Sequence, residues 1–289
     1  MDLFRQISMD GLKLLGSGKS GDVYEFDQGR IVKLYRDGRG EYEVLKEFLA
    51  AVLMEQEGMK AMKPYEVVKC GEAFGIIYEK LTGISLKDRI YQEPERAGEY
   101  GAYCARVMRE NHSVLLDEDY GLSVRHEFVR WAESIRILTP AECSVVKTAI
   151  HEIPDRLCLL HMDPTPENLL LLLDGSSAWI DLEACGTGHP AFSIQALYCP
   201  DFLGMLPGIA PHDAEILRRF WKSFIQQYFE KAERVRMSGI LRGIHFLAHL
   251  RFLHDFQAIS GDTPLFERQA GFLKQMLFRD IIGGMDFNW

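Results

Sequence analysis

An amide and two acids in the middle of the chain have residue types and spacings that could do chemistry. Asn168 follows Asp163 by five residues, and Asp181 follows Asn168 by thirteen. The apolar runs between Asn168 and Asp181 are separated by Asp174-Gly175, a pair typical of tight hairpin turns. We therefore predict a hairpin that places Asn168 and Asp181 side by side. Amide and carboxylate oxygens are ligands that Mg²⁺ accepts, so this pair is predicted to bind magnesium.

Asp163 lies on the loop before this predicted hairpin, two residues after His161. A carboxylate in that place can accept the proton of an attacking hydroxyl, which makes Asp163 a candidate catalytic base. Short sequence motifs such as this one also match by chance. The competing interpretation is therefore a buried hairpin flanked by ordinary loop acids. The N-terminal part of the chain decides between the two.

A glycine cluster near the N-terminus fits the pattern G-x-G-x-x-G-x-V. Glycines let backbone approach phosphate oxygens without a Cβ clash. A dinucleotide-binding turn and a Walker A loop both need a helix after the glycines, but GDVYEF is typical of a strand. We predict strands on both sides and a flap over nucleotide phosphates, with a plain glycine hairpin as the alternative. The pattern residues are Gly16, Gly18, Gly21 and Val23.

Lys33 lies in an apolar strand, where an ammonium group is costly unless an anion accompanies it. The α- and β-phosphates of ATP are the predicted anion. The next segment is predicted to be a helix, and either Glu41 or Glu43 in its first turn is expected to pair with Lys33. We favour Glu41, because Leu45 and Phe48 follow it at helical spacing.

A second predicted hairpin ends near Tyr78, and strands give way to helices after it. The backbone from Glu79 to Leu81 is expected to bind the adenine edge, with Tyr78 forming a wall of that pocket. The change in pattern predicts two lobes, residues 1–80 and residues 81–289.

Composition limits the class of partner. The 289-residue chain is 47% hydrophobic and has a net charge of −9, and residues 81–289 carry 21 basic and 28 acidic side chains. This balance argues against nucleic acid or an anionic membrane as partner and suits a cationic small molecule. Six scattered cysteines without a C-x-x-C pair, and no signal peptide or membrane span, predict a cytoplasmic protein. We expect a monomer or homodimer.

Taken in order, these motifs resemble the protein-kinase-like superfamily, and most closely the aminoglycoside phosphotransferase and choline kinase branch. The resemblance implies an α+β fold of two lobes, with a small antiparallel-sheet N-lobe and a larger, mostly helical C-lobe that carries the catalytic loop and the acceptor pocket. It also implies ATP and Mg²⁺, and transfer of the γ-phosphate to a hydroxyl of an aminoglycoside-, choline- or sugar-like molecule. Lys33 and Asp163 would be catalytic, His161 would fix the loop, and Glu183 would touch a second metal ion.

The chain departs from the family pattern at three positions. Met162 follows the loop histidine where glycine is usual, and His189 and Ser193 replace two acids, the second of which supports the catalytic loop in the family. The support of the loop is therefore open. A nucleotide-binding pseudokinase or scaffold is the first alternative function. A protein-directed Ser/Thr kinase is the second, although no A-P-E motif follows Asp181.

His245 and His249 lie four residues apart on a predicted helix and form a possible metal pair. No H-E-x-x-H signature accompanies them. We interpret them as packed or solvent-facing residues.

Overall fold

We describe the protein from a computed structural model. It describes residues 4–18, 20–36, 39–198, 211–260 and 264–289. The chain divides into two compact units: Met1–Arg89 with Pro166–Cys185, and Ile90–Thr165 with Gly186–Trp289.

The first unit is built on a mixed sheet that is antiparallel except at one edge. Its strand order is β1-β5-β6-β4-β3-β2, and only the β1–β5 pairing is parallel. Val32, Val68 and Ile77 are fully buried in its core, because β-branched residues alternate on the packed face of these strands. The strands and helix are β1 (Arg5–Gln6), β2 (Lys13–Ser17), β3 (Gly21–Glu25), β4 (Arg30–Tyr35), α1 (Glu41–Gln56), β5 (Pro64–Cys70) and β6 (Ala73–Glu79).

The predicted hairpin is present, but it groups with the first unit rather than with the residues after 80. Strand β9 (Leu169–Leu172) pairs with both β7 (Gly83–Ser85) and β10 (Ser177–Trp179). Backbone hydrogen bonds also join Trp179 to Lys60 and Met62, at 2.8 and 3.0 Å. These pairings explain why the first unit does not end at residue 80, as expected, but continues to Arg89 and includes Pro166–Cys185.

The second unit is mostly helical and contains one small antiparallel pair, β8 (Cys158–Leu160) with β11 (Gly186–Gly188). Helices α3 (Ala97–His112) and α7 (Pro211–Tyr228) approach closely, since a Cβ on Gly101 would lie 2.2 Å from the Phe220 carbonyl oxygen. Helix α2 (Leu86–Gln92) joins the two units in sequence. The remaining helices are α4 (Arg125–Ser134), α5 (Pro140–His151), α6 (Ala191–Ile194), α8 (Met237–Ser260) and α9 (Pro264–Ile282).

The two histidines on α8 pack against neighbouring side chains, and His249 is buried while His245 is partly buried. His249 is buried, and its Nδ1 lies 2.8 Å from Asp280 Oδ2 on α9. The His245 ring packs against Tyr198 with centroids 4.3 Å apart. These contacts show that both histidines are packed, which is one of the two arrangements that the sequence interpretation allowed.

No helix among the described residues is both long and apolar enough to cross a membrane.

Candidate functional site

A cavity of about 360 Å³ lies within the first unit, beneath the glycine cluster. Apolar side chains form much of its wall, and the polar residues that reach it include Lys33, Asn168 and Asp181. The apolar lining residues are Leu15, Val23, Ile31, Met62, Leu170 and Ile180. Three groups predicted from distant parts of the sequence therefore share one cavity.

The three glycines of the flap serve two purposes. A Cβ on Gly16 would meet nothing within 4 Å, and one on Gly18 would meet only the Gly21 carbonyl oxygen at 3.7 Å. A Cβ on Gly21 would lie 2.3 Å from the Leu34 carbonyl oxygen, so Gly21 permits β3 to pair with β4. Gly16 and Gly18 leave room over the cavity. Lys19, within the same cluster, lies outside the described residues.

Hydrogen bonds that sequence reasoning missed join the two strands of the flap to each other and to Arg36. The Ser17 hydroxyl donates to Asp22 Oδ1 at 2.6 Å, and Arg36 Nη2 donates to Ser17 Oγ at 2.6 Å and to Asp22 Oδ1 at 2.9 Å. The hydrogen bonds from Ser17 and Arg36 lower the pKa of the Asp22 carboxyl. The only sequence signal was a serine and an acid facing each other across the predicted flap.

Lys33 is surrounded by carboxylates. Its side chain is 6% exposed, and Nζ lies 2.7 Å from Asp181 Oδ1, 3.2 Å from Glu47 Oε1 and 3.5 Å from Glu183 Oε2. Burial disfavours the ammonium charge, but the three carboxylates outweigh burial, so the pKa of Lys33 is raised. The lysine remains a cation at neutral pH.

The partner predicted for Lys33 was wrong. Glu47 fills that place, while Glu41 is exposed in the first turn of α1. The prediction took Leu45 to mark the buried face, but Leu45 is 38% exposed. Val44 and Glu47 lie three apart on the face that is buried. The sequence signal that could have identified Glu47 is an acid within an apolar helical stripe.

Tyr78 was expected to wall the adenine pocket, and this too is corrected. Its side chain is fully buried, and its hydroxyl donates to Glu47 Oε1 at 2.9 Å. Burial, followed by the nearby Glu47 charge, raises the pKa of Tyr78 well above its usual value, so it stays a donor. Tyr78 therefore holds the partner of Lys33.

The segment after Tyr78 does line the cavity, through Glu79, Lys80 and Leu81. The Glu79 N–H donates to the Lys63 carbonyl oxygen and the Lys80 N–H to the Gly29 carbonyl oxygen, both at 2.8 Å. Across the described chain, no backbone carbonyl accepts the Leu81 N–H. That group is thus a backbone donor available to a ligand.

Asn168 and Asp181 flank the open end of the hairpin, as predicted. Leu169 pairs with Trp179, and the Ile180 N–H donates to the Asn168 carbonyl oxygen at 2.9 Å. Asp181 adopts φ 58°, a left-handed conformation that is costly outside glycine and tends to occur at functional sites.

Glu183 was expected to touch a second metal ion. Its Oε1 instead accepts from Arg39 Nη2 at 3.2 Å, while Oε2 lies near Lys33. Two cations therefore already hold this carboxylate. Sequence reasoning missed Arg39, because no local pattern links a loop arginine to an acid 144 residues away.

The loop predicted to be catalytic belongs, as far as Thr165, to the second unit. The Asp163 N–H donates to His161 Nδ1 at 3.2 Å, and the Ser193 hydroxyl donates to the His161 carbonyl oxygen at 2.7 Å. Ser193 thus supports the loop at one of the two positions where the family pattern has an acid. His189, at the other, is buried and accepts the Ala191 N–H at 3.1 Å. Burial, aided by the charge of Arg156, lowers the pKa of His189 to about 4, so it is neutral at pH 7.

The Asp163 side chain meets an arginine that the sequence did not reveal. Arg251 Nη2 on α8 lies 3.3 Å from Asp163 Oδ1. Arg251 Nε lies 3.5 Å from Asp255 Oδ2, one turn along the same helix.

The donor set suits magnesium bound together with a nucleotide. Asn168 and Asp181 offer hard oxygens to one cavity. Over the ranges that the structure describes, no group of three His, Cys, Asp or Glu residues could hold a metal ion by itself. Magnesium commonly binds one or two protein oxygens and completes its shell with water and substrate phosphates, which matches this arrangement.

Comparisons with known proteins agree with this architecture. The model of a family described as "Phosphotransferase enzyme family" matches residues 11–228. No curated protein sequence gives a significant match.

Solved structures match along most of the chain. Amicoumacin kinase hAmiN, in complex with AMP-PNP, Ca²⁺ and Ami, has a TM-score of 0.60 at 18% identity, covering 99% of this chain and 93% of that one. A streptomycin–ATP–APH(2")-IIa ternary complex has 0.57 at 18%, covering 92% and 93%. Choline kinase LicA from Streptococcus pneumoniae has 0.56 at 15%, covering 92% of each. These matches confirm the predicted kinase-like α+β fold.

Proposed function

This chain belongs to the phosphotransferase enzyme family, and on that premise we propose that it transfers the γ-phosphate of ATP to a hydroxyl group of a small molecule. One observation carries the proposal: Lys33, Asn168 and Asp181 line a single cavity beneath a glycine flap. A buried cation and two hard oxygen donors are the groups that a metal-bound triphosphate requires.

The first unit would bind the nucleotide. The apolar walls would enclose the adenine and the Leu81 N–H would donate to its edge, while Lys33 would contact the α- and β-phosphates. Gly16 and Gly18 would admit the phosphate oxygens, because a side chain at either position would occupy that space. Mg²⁺ held by Asn168 and Asp181 would neutralise phosphate charge.

The second unit would bind the acceptor. Asp163 would orient the acceptor hydroxyl for in-line attack and accept its proton, with its loop held by His161 and Ser193. The net charge of −9 and the structural matches to an aminoglycoside phosphotransferase and a choline kinase support an aminoglycoside-, choline- or sugar-like alcohol, with a cationic molecule favoured.

A transfer assay tests the proposal. Purified protein, ATP and MgCl₂ are incubated with choline, ethanolamine, streptomycin or glucose, and phosphorylated acceptor is measured by mass spectrometry. We expect at least one acceptor to be phosphorylated by the wild type and none by Asp163→Asn, which should retain nucleotide affinity. Nucleotide binding without transfer to any alcohol would favour a pseudokinase, and labelling of added protein alone would favour a protein kinase.

A further inference from the structure

The proposed base is held on two sides. The loop backbone is fixed by His161 and Ser193, through hydrogen bonds of 3.2 and 2.7 Å. The Asp163 carboxylate is met separately by Arg251, which comes from α8, 88 residues further along the chain. Fixing the backbone leaves the side-chain torsions of an aspartate undetermined, and the contact with Arg251 restricts where the carboxylate oxygens lie.

We infer that Arg251 is a positioning residue for Asp163 in the proposed phosphoryl transfer, an inference that rests on the proposed function. The guanidinium is planar, permanently charged and directional, so it restricts both the place and the orientation of a carboxylate. The Arg251 side chain is 26% exposed and that of Asp163 40%, so this pair is less screened by solvent than an ion pair on the open surface.

Arg251 is itself restrained along α8. Asp255, four residues later, lies 3.5 Å from its Nε, and His254 Nδ1 lies 3.1 Å from Asp255 Oδ1. The His254 ring stacks on Trp131 of α4, with centroids 5.2 Å apart and an interplanar angle of 22°. The contacts therefore lead from Trp131 through His254 and Asp255 to Arg251, and the ion pair with Asp255 restrains the arginine.

The geometry also fits positioning better than neutralisation. The 3.3 Å separation between Arg251 Nη2 and Asp163 Oδ1 exceeds the 2.7–2.9 Å typical of a strong charge-assisted hydrogen bond. A contact of this length restricts the place of the carboxylate without being a short, strong ionic bond. In this inference, Arg251 acts through Asp163 and does not itself contact the acceptor or the nucleotide.

The test compares Arg251→Met and Arg251→Lys with Arg242→Met, a matched arginine on α8 that donates to the Gly284 carbonyl oxygen. Transfer to the fastest acceptor among choline, ethanolamine, streptomycin and glucose is measured, or phosphate release to water if none is used. For Arg251→Met we expect kcat to fall about 100-fold, the effect of a misplaced catalytic group, with both KM values within threefold of the wild type. Added guanidinium chloride at millimolar concentration should restore part of kcat, Arg251→Lys should be intermediate, and Arg242→Met should match the wild type.

Three results would overturn the inference: an unchanged kcat for Arg251→Met, a rise in acceptor KM without a fall in kcat, or a loss that neither lysine nor guanidinium restores. Asp255→Asn serves as a second variant that leaves the arginine in place, and it should lower kcat by a smaller factor. A wild type that binds ATP yet transfers nothing, even to water, would refute the proposed function itself, and this inference would fall with it. An active wild type with an unaffected Arg251→Met would refute this inference alone.

Discussion

At the scale of single residues, Lys33 determines how the cavity proposed to bind the nucleotide is organised. Its ammonium is buried among Glu47, Asp181 and Glu183, and each acid keeps the cation in place. Glu47 is itself buried and accepts a hydrogen bond from the Tyr78 hydroxyl. Removing one member of such a network leaves the other charges without compensation, which costs more than the lost contact.

Glu47→Gln tests this network, with Glu41→Gln as its control. Glutamine keeps the side-chain volume but removes the charge opposite Lys33, so we expect a loss of about 1–3 kcal/mol in unfolding free energy and weaker nucleotide binding. Glu41→Gln should behave as the wild type because Glu41 is exposed. Urea unfolding and calorimetry measure both effects, and equal behaviour of the two variants would contradict the assignment of Glu47.

Ser193→Ala tests the support of the proposed catalytic loop. The change leaves the His161 carbonyl oxygen without the Ser193 donor, which should cost about 1–2 kcal/mol of stability and lower the rate of transfer while nucleotide affinity is kept. Ser144→Ala is the matched control, since its hydroxyl also donates to a backbone carbonyl but is exposed. A Ser193→Ala enzyme with the wild-type rate would show that the loop does not need this bond.

At this scale, the residues predicted to do chemistry could be found from the sequence more readily than the residues that contact and hold them. Lys33 was found because a lysine is unusual in an apolar strand, and Asn168 and Asp181 were found from their spacing on either side of a predicted hairpin. Glu47, Arg39 and Arg251 were missed because their roles come from tertiary packing between segments, which no spacing along the chain encodes. Of these three residues, only Glu47 has a signal in the sequence, because it is an acid within an apolar helical stripe.

At the scale of elements, the flap and the hairpin bring the site together. Strand and turn patterns predicted both, because alternation and an Asp-Gly pair are local signals. The membership of the hairpin in the first unit was not predicted, since it depends on pairing with β7 and on the bonds of Trp179 to Lys60 and Met62.

Gly21→Ala and Gly16→Ala separate the two uses of glycine in the flap. The alanine methyl at position 21 would collide with the Leu34 carbonyl oxygen, so we expect Gly21→Ala to lower the melting temperature of the protein. Gly16→Ala meets no atom and should fold normally, yet it should weaken ATP binding by narrowing the space for phosphate. Melting temperature and nucleotide titration are the measurements, and a reversed order of the two effects would contradict the assignment.

At the scale of the whole molecule, stability should depend on pH through buried histidines of the second unit. Burial lowers the pKa of His112 to about 3, of His189 to about 4 and of His245 to about 4. Each is neutral when folded, whereas the unfolded chain binds a proton below about pH 6.5. The stabilisation is therefore complete above pH 6.5 and is lost as the pH falls toward 4.

His189→Asn measures how much His189 contributes to the pH dependence of the unfolding free energy. The asparagine oxygen can accept the Ala191 N–H in place of Nδ1 but does not titrate. Between pH 7 and pH 5 we expect the wild type to lose roughly 2 kcal/mol more unfolding free energy than the variant, as judged by urea denaturation. An identical decline in both proteins would show that His189 does not contribute.

The central claim is that Lys33, Asn168 and Asp181 form one site for a metal-bound nucleotide. Calorimetric titration of AMP-PNP, with and without MgCl₂, into wild type and Asp181→Ala tests it most directly. Asp174→Asn, at the opposite end of the same hairpin, is the control. We predict that magnesium strengthens binding to the wild type and to Asp174→Asn, and that Asp181→Ala loses this magnesium-dependent gain. Undiminished magnesium-dependent binding by Asp181→Ala would contradict the claim.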